Sequence, residues 1–191
     1  MMQISKIKKE ETAQALELIH EVYREIPEKS WFSLDGDREL LTYINETGFA
    51  LKAVEEREVA ECRCKEGTFE VAEEEAVEKK SEMAAVFIAR TANLREENLG
   101  EYLRLTSEEM ERVAHMEIAM VRKVYRGQGV QRKMMEVAEQ CLKEQGYHYL
   151  MGTAHPENVY SVNNFKKLGY EIVAEDLKYG GLPRYIFCKE I

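Results

Sequence analysis

The 191-residue chain is 45% apolar and 33% charged, the make-up of an ordinary folded protein, and its length suits one domain (1–191) around one core. A net charge of -9 argues against a general nucleic-acid binder, which needs clustered Lys and Arg to neutralise phosphate. No apolar run approaches the ~18 residues that span a membrane, and MMQISKIKKEETAQAL has no apolar stretch after its lysines, so neither a span nor a secretory leader is expected.

Along the chain, ETAQALELIHEVYREIP sets Ala15, Leu18, Ile19, Val22 and Ile26 on one helix face, and Pro27 marks the stop. KSWFSLDGD reads as a loop carrying Trp31 and Phe32. RELLTYINETG reads as a short helix ended by Gly48, and GFALKAV as a strand. From Glu55 to Glu82, eleven glutamates stand against five basic residues. Such a run is a solvated insertion or exposed hairpin, or else an acidic docking surface for a basic partner.

SEMAAVFIAR is nearly continuous in apolar residues, as a strand buried on both faces is. Thr106 precedes Glu109 in a capping-box pattern for another short helix. HMEIAMV is a strand that leads into VYRGQGVQRKMM. From Val130, apolar residues recur at Met134, Val137, Ala138, Cys141 and Leu142, with Gly146 where a helix C′ residue belongs. YHYLMGTAH is a strand, SVNNFKKLG a short helix closed by Gly169, and YEIVAED and RYIFCKEI a closing pair of strands around LKYGGLP. The order gives an α/β (α+β) chain with one βαβ unit and an antiparallel end. Cys62, Cys64, Cys141 and Cys188 lack both zinc-ligand spacing and a disulfide framework, so they read as reduced thiols of a cytoplasmic protein with no metal.

The loop Arg126-Gly127-Gln128-Gly129 joins a strand to a helix. Glycines let backbone approach a ligand, and the first helix amides have no partners within the helix. Those amides and the positive helix end favour phosphate by ~0.3–1 kcal/mol from the dipole, beyond their hydrogen bonds. Arg126 and Arg132 add positive charge. A dinucleotide fingerprint would need glycine at position 132, which is Arg, and the Gly-Lys-Ser/Thr of a Walker loop is absent. The loop alone leaves two readings open, a phosphate grip and a plain helix-starting turn.

VRKVYRGQGVQRKMMEVAEQ resembles the pyrophosphate loop of the GNAT superfamily of acetyl-CoA-dependent N-acetyltransferases, whose pattern is Gln/Arg-x-x-Gly-x-Gly/Ala. Arg126 and Gly129 match, and Gln131 departs at the last position, as in an RGxGhQ subgroup. HPENVYSVNNFKKLGY resembles the family's second signature, Asn-x-x-Ala-x-x-Leu-Tyr-x-Lys-x-Gly-Phe, through Asn158, Ser161, Lys167, Gly169 and Tyr170. The resemblance covers Met116 to the C-terminus and is compatible with the order of elements before it.

That resemblance implies a GNAT fold, a mixed, mostly antiparallel sheet with one splayed strand pair and flanking helices. It implies backbone pairing of the pantetheine arm at Val121. It also implies a pyrophosphate cradle of amides from Gly127 through Gln128, Gly129 and Val130 to Gln131, with cofactor contacts at Arg126, Asn158, Ser161 and Phe165. The implied reaction is direct attack of a primary amine, on a small molecule or peptide, upon acetyl-CoA; homodimerisation is left open. An alkyl amine of pKa ~10.4 gives up its proton at pH 7 at a cost of roughly 4–5 kcal/mol, which a carboxylate can lower. Glu117, inside the apolar MEIAMV, is placed as that base or is a glutamate at the pocket rim. His115 is a second candidate base or a polar strand-end residue. The family's acidic tyrosine is replaced by Phe165, so Tyr160 stands in as acid or simply packs. His155 and Pro156 shape the turn out of the strand. The acceptor pocket draws on Trp31 and Phe32, which otherwise plug the local core, and on the Tyr179–Arg184 hairpin. There Arg184 meets a substrate carboxylate or forms a surface ion pair. A non-catalytic acyl-CoA-binding regulatory module is the alternative, favoured by Phe165 and opposed by Glu117.

Overall fold

The apolar face read from the first helical run becomes α1 (Thr12–Arg24), which buries Ala15, Leu18, Ile19 and Val22. Here, as throughout, the structure is a computed structural model; it describes residues 2–60, 77–91 and 98–191. Next comes α2 (Asp37–Asn45), burying Leu40 and Ile44. Gly48 does not cap it, contrary to the sequence expectation. It is the first residue of β2 (Gly48–Ala60), and a Cβ there would collide with the Ala89 carbonyl of β3 (Val77–Arg90). The glycine is needed for close strand approach, not for a left-handed turn.

With β1 (Met2–Lys6), β4 (Val113–Val121), β5 (Tyr149–Ala154), β6 (Glu171–Lys178) and β7 (Leu182–Glu190), these strands form one seven-stranded sheet ordered β1-β2-β3-β4-β5-β7-β6. The β4–β5 pair is parallel and the other pairs are antiparallel. The crossover of the parallel pair is α4 (Val130–Glu144), and Gly146 lies just beyond it at φ 86°. The remaining helices are α3 (Ser107–Met110), opened by the Thr106–Glu109 capping box, and α5 (Val159–Lys167), followed by Gly169 at φ 84°. α1 and α2 pack over Val86, Ile88, Ile118 and Met120, while α4 and α5 pack over Phe49, Leu51, Phe87 and Phe187. β3 is buried from Met83 to Ala89, as its apolar run required.

β2 and β3 pair as far as Ala60 opposite Val77, so both ends of the acidic run are arms of a hairpin. Residues 61–76, with Cys62, Cys64 and most of those glutamates, lie outside the described residues.

Two irregularities shape the middle of the sheet. Ile88 faces Ile118 and Ala89 faces Met116, so Glu117 is the extra residue of a β-bulge in β4. The parallel pairing of Val113–His115 with Tyr149–Met151 then stops, β4 following β3 to Val121 and β5 following β7 to Ala154. Gly152 sits at the parting, where an added Cβ would lie 2.7 Å from Phe165 Cζ and 3.2 Å from the Met116 carbonyl oxygen. Phe165 is held there by stacking on Phe187, with ring centroids 4.6 Å apart.

Because backbone blocks the space at Gly48, Gly48→Ala is expected to destabilise the fold by about 1–3 kcal/mol. Urea unfolding of both proteins measures this, and an unchanged midpoint would contradict the close approach of β2 and β3.

Candidate active site

Between the diverging strands lies a cleft lined by Trp31, Phe32, Phe87, Met116, Glu117, Ala119, Gln131, Met135, Thr153, Ala154, Asn158, Tyr160, Ser161 and Phe165. A second, smaller hollow continues it past Met116, Glu117 and Thr153 to Arg90, Leu99, His115, Gly152, Lys178 and Tyr179. The cleft brings together Glu117, Gln131, Asn158, Tyr160, Ser161 and Phe165 from the sequence-based set, with Trp31 and Phe32. Val121 and the residues from Arg126 to Val130 do not line it; they form the loop between β4 and α4.

In that loop Gly127 and Gly129 take φ 77° and 74°, and Gly129 occupies the N-cap of α4. A Cβ on Gly127 would meet nothing within 4 Å, so the loop is open to a ligand. The first helical bond runs from Lys133 N–H to the Gly129 carbonyl at 3.0 Å. Amides from Gly129 to Arg132 therefore have no partner along the helix. Val130 buries its side chain and offers only backbone. Arg126 folds back, its Nε donating to the Val121 carbonyl at 2.9 Å and its Nη2 pairing with Glu25 at 3.2 Å. Gln128 Nε2 donates to the Val124 carbonyl at 3.1 Å. Bare amides, open glycines and an adjoining cleft fit a pyrophosphate with an extended thiol arm. Among the described residues no group of His, Cys, Asp or Glu could hold a metal ion.

At the bulge, Glu117 accepts from Arg90 Nε at 3.1 Å, and its side chain is only 16% exposed. Burial alone raises the carboxyl pKa, but His115 and Arg90 outweigh it, and the value lies below the ordinary 4.5. His115 is buried, and its Nε2 accepts from Leu99 N–H at 3.1 Å. Its Nδ1 lies 3.1 Å from Arg90 Nη2, a group that can only donate, and 3.8 Å from Glu117 Oε2. With Nε2 engaged by backbone, His115 is poorly placed to take a substrate proton and instead supports Glu117. Arg90, the residue that sets this charge, was not singled out from sequence. Its signal was a cation closing a strand otherwise apolar on both faces.

Asn158 caps α5, its Oδ1 accepting from Ser161 N–H at 3.3 Å. Tyr160, in the first turn, is 76% exposed at the cleft rim. Phe165 is buried and closes the cleft floor. His155 and Pro156 lie in the turn before α5, where the His155 carbonyl accepts from Asn158 N–H at 2.9 Å. On the hairpin, Tyr179 Oη lies 3.2 Å from Thr153 Oγ1. Arg184 is not in a surface ion pair: it is 2% exposed, its Nη1 donates to the Pro183 carbonyl at 2.8 Å, and its Nη2 has no partner. Burial lowers its pKa, and an unmet buried donor costs about 1–3 kcal/mol. The other described cysteines, Cys141 and Cys188, are free. No described helix is long and apolar enough to cross a membrane.

A family model described as Acetyltransferase (GNAT) family matches residues 16–170. No curated protein matches the sequence. Among solved structures, Arabidopsis thaliana NAA60 in complex with acetyl-CoA gives a TM-score of 0.69 at 14% identity, over 100% of this chain and 99% of that one. A GCN5-related N-acetyltransferase from Kribbella flavida gives 0.64 at 12%, over 100% and 98%. An IAA acetyltransferase from Bacillus cereus gives 0.58 at 15%, over 100% of both chains. At these identities the likeness is one of fold.

A carboxyl whose folded pKa lies below its unfolded value stabilises the fold above the unfolded value. That contribution is lost as pH falls through the folded pKa. Glu117 should therefore add to the loss of stability as pH falls below about 4.5. Glu117→Gln is expected to flatten that part of the curve, measured by urea unfolding across the range. An unchanged slope would show that the Arg90 pairing does not hold the carboxylate ionised.

Proposed function

Because the chain belongs to the GNAT acetyltransferase family, we propose that it acetylates a primary amine within the cleft where β4 and β5 part. The observation that carries this reading is the ionised carboxylate of Glu117 facing the same cleft as Asn158, Ser161 and the first turn of α4. Acetyl-CoA, when bound, supplies an activated acetyl thioester.

The residues divide the work along the cleft. Amides from Gly127 through Gln128, Gly129 and Val130 to Gln131 take the pyrophosphate, helped by the dipole of α4. Arg126 exchanges its hold on Glu25 and the Val121 carbonyl for phosphate. That exchange frees Val121 to pair with the pantetheine arm. Asn158, Ser161 and Phe165 line the arm further in, and Gln131 closes it from the α4 side. Glu117 receives the amine proton directly or through one water. With its pKa lowered by Arg90 and His115, it is a weak resting place for that proton, which passes on to solvent. The amine nitrogen bonds to the carbonyl carbon as the carbon–sulfur bond breaks, and the exposed hydroxyl of Tyr160 donates to the leaving thiolate. A cytoplasmic setting suits this role, since thiols such as Cys141 and Cys188 stay reduced there.

Acetyl-CoA at 100 times its Kd should stabilise the protein by ~2.7 kcal/mol. No thermal shift at that ratio would remove the cofactor reading. In the presence of a panel of amines, release of free CoA thiol should depend on the amine. Glu117→Gln should lower kcat by about 10²–10⁴-fold, and Tyr160→Phe should lower it without changing the thermal shift. A shift without release for any amine would identify a binding module instead of an enzyme.

A further inference from the structure

Arg184 is a cation that the fold buries and, among the described residues, leaves without an anion. Only 2% of it is exposed, and its Nη2 has no partner. The carboxylate best placed to pair with it is Asp176, directly opposite on β6. Asp176 is engaged elsewhere: Oδ2 accepts from Tyr102 Oη at 2.5 Å, and Oδ1 accepts from Leu177 N–H at 2.7 Å. Among the described residues no carboxylate forms an ion pair with Arg184. A buried charge of this kind weakens the fold, and an anionic group brought by a ligand would relieve it.

The aromatic ring beside this cation belongs to the lining of the cleft. The guanidinium carbon lies 5.3 Å from the centre of the Tyr179 ring, and Tyr179 lines the hollow that also contains Glu117 and Thr153. Tyr179 takes φ 51°, unfavourable for a residue with a Cβ, and is followed by Gly180 at 81° and Gly181 at 103°. The two glycines tolerate a change of backbone, and the tip is tied to β5 through the Tyr179–Thr153 contact.

We propose that Arg184 anchors a carboxylate of the acceptor, and that the acceptor is a small amino-carboxylate, with its amine toward Glu117 and its carboxylate toward β7. Tyr179 is the cover that the carboxylate displaces. The proposal rests on the acetyltransferase reading above and names its substrate class. It also runs against the net charge of -9, which by itself favours cationic acceptors. A bidentate guanidinium–carboxylate contact inside a cleft is little screened, so a local cation decides over the distant surface charge.

The test compares amines that differ by one carboxylate, L-lysine with cadaverine and L-phenylalanine with phenethylamine. Wild type should favour the amino acid of a pair by about tenfold or more in kcat/KM. Arg184→Met should reduce that preference to near unity with the KM for acetyl-CoA unchanged and a melting temperature equal or higher, because an unpaired buried charge is gone. Arg184→Gln serves as the second variant should Arg184→Met not fold. No preference in wild type, or a preference that survives both substitutions, would overturn the assignment. A large fall in melting temperature with the preference intact would make Arg184 a structural residue. Where no acceptor turns over, the acetyltransferase reading fails. Calorimetry on the CoA-loaded protein then decides the present point: tighter binding of L-lysine than cadaverine, lost in Arg184→Met, supports it, and equal or absent binding refutes it.

Discussion

The bulge at Glu117 is the constraint from which the site follows. A strand alternates its side chains between faces, so one unpaired residue reverses the assignment of everything beyond it. Before the bulge, Ala114 and Met116 pack under α4; after it, Ala119 and Val121 do so, while Ile118 and Met120 turn to α1 and α2. Without the reversal Ile118 and Met120 would share a face with Met116, and neither helical layer would be filled by the right half of β4. The same step marks where β4 leaves β5. Gly152 and the Phe165 ring occupy the gap on the β5 side, so the parting is packed and not merely frayed.

That geometry also explains how a carboxylate survives near the middle of a sheet. Largely buried, Glu117 would protonate if left alone. Arg90 ends β3 opposite His115, close enough for Nε to reach Glu117, and Leu99 N–H fixes the imidazole beside it. The three side chains come from two neighbouring strands across the bulge, so the charge is balanced by the same irregularity that exposes it to the cleft. Removing Arg90 would leave the buried Glu117 carboxylate with His115 alone to offset its burial. A structural and a chemical requirement therefore meet at one residue.

Much of this was legible in sequence. Residues Ala15 to Val22 declared α1 by spacing, Met83 to Ala89 declared a doubly buried strand, and Gly146 and Gly169 sit at positive φ past their helices as read. Gly48 misled because glycine after a helix usually signals a left-handed cap, whereas here it answers a clash with a neighbouring strand. A clash between strands distant in sequence leaves no local trace. The bulge was illegible for a similar reason: MEIAMV alternates acceptably in either register, and the slip is decided by β3. The burial of Arg184 depends on where Asp176 and Tyr102 point, which no short pattern records.

The two ends of the cleft differ in how they are built, and that difference governs what a sequence can reveal. The β4–α4 loop offers backbone: glycines at positive φ and helix amides, which require particular residue types in consecutive positions. Such a requirement produces a motif. The other end is assembled from the loop after α1, β3, β4, β5 and the β6–β7 hairpin, none of which supplies it alone. Its chemistry lies in distances between segments, so it can be altered by single substitutions without disturbing the β4–α4 loop. A chain built this way can keep its backbone loop and change the side chains around the cleft, at positions such as Arg90 and Tyr179, without touching the glycines.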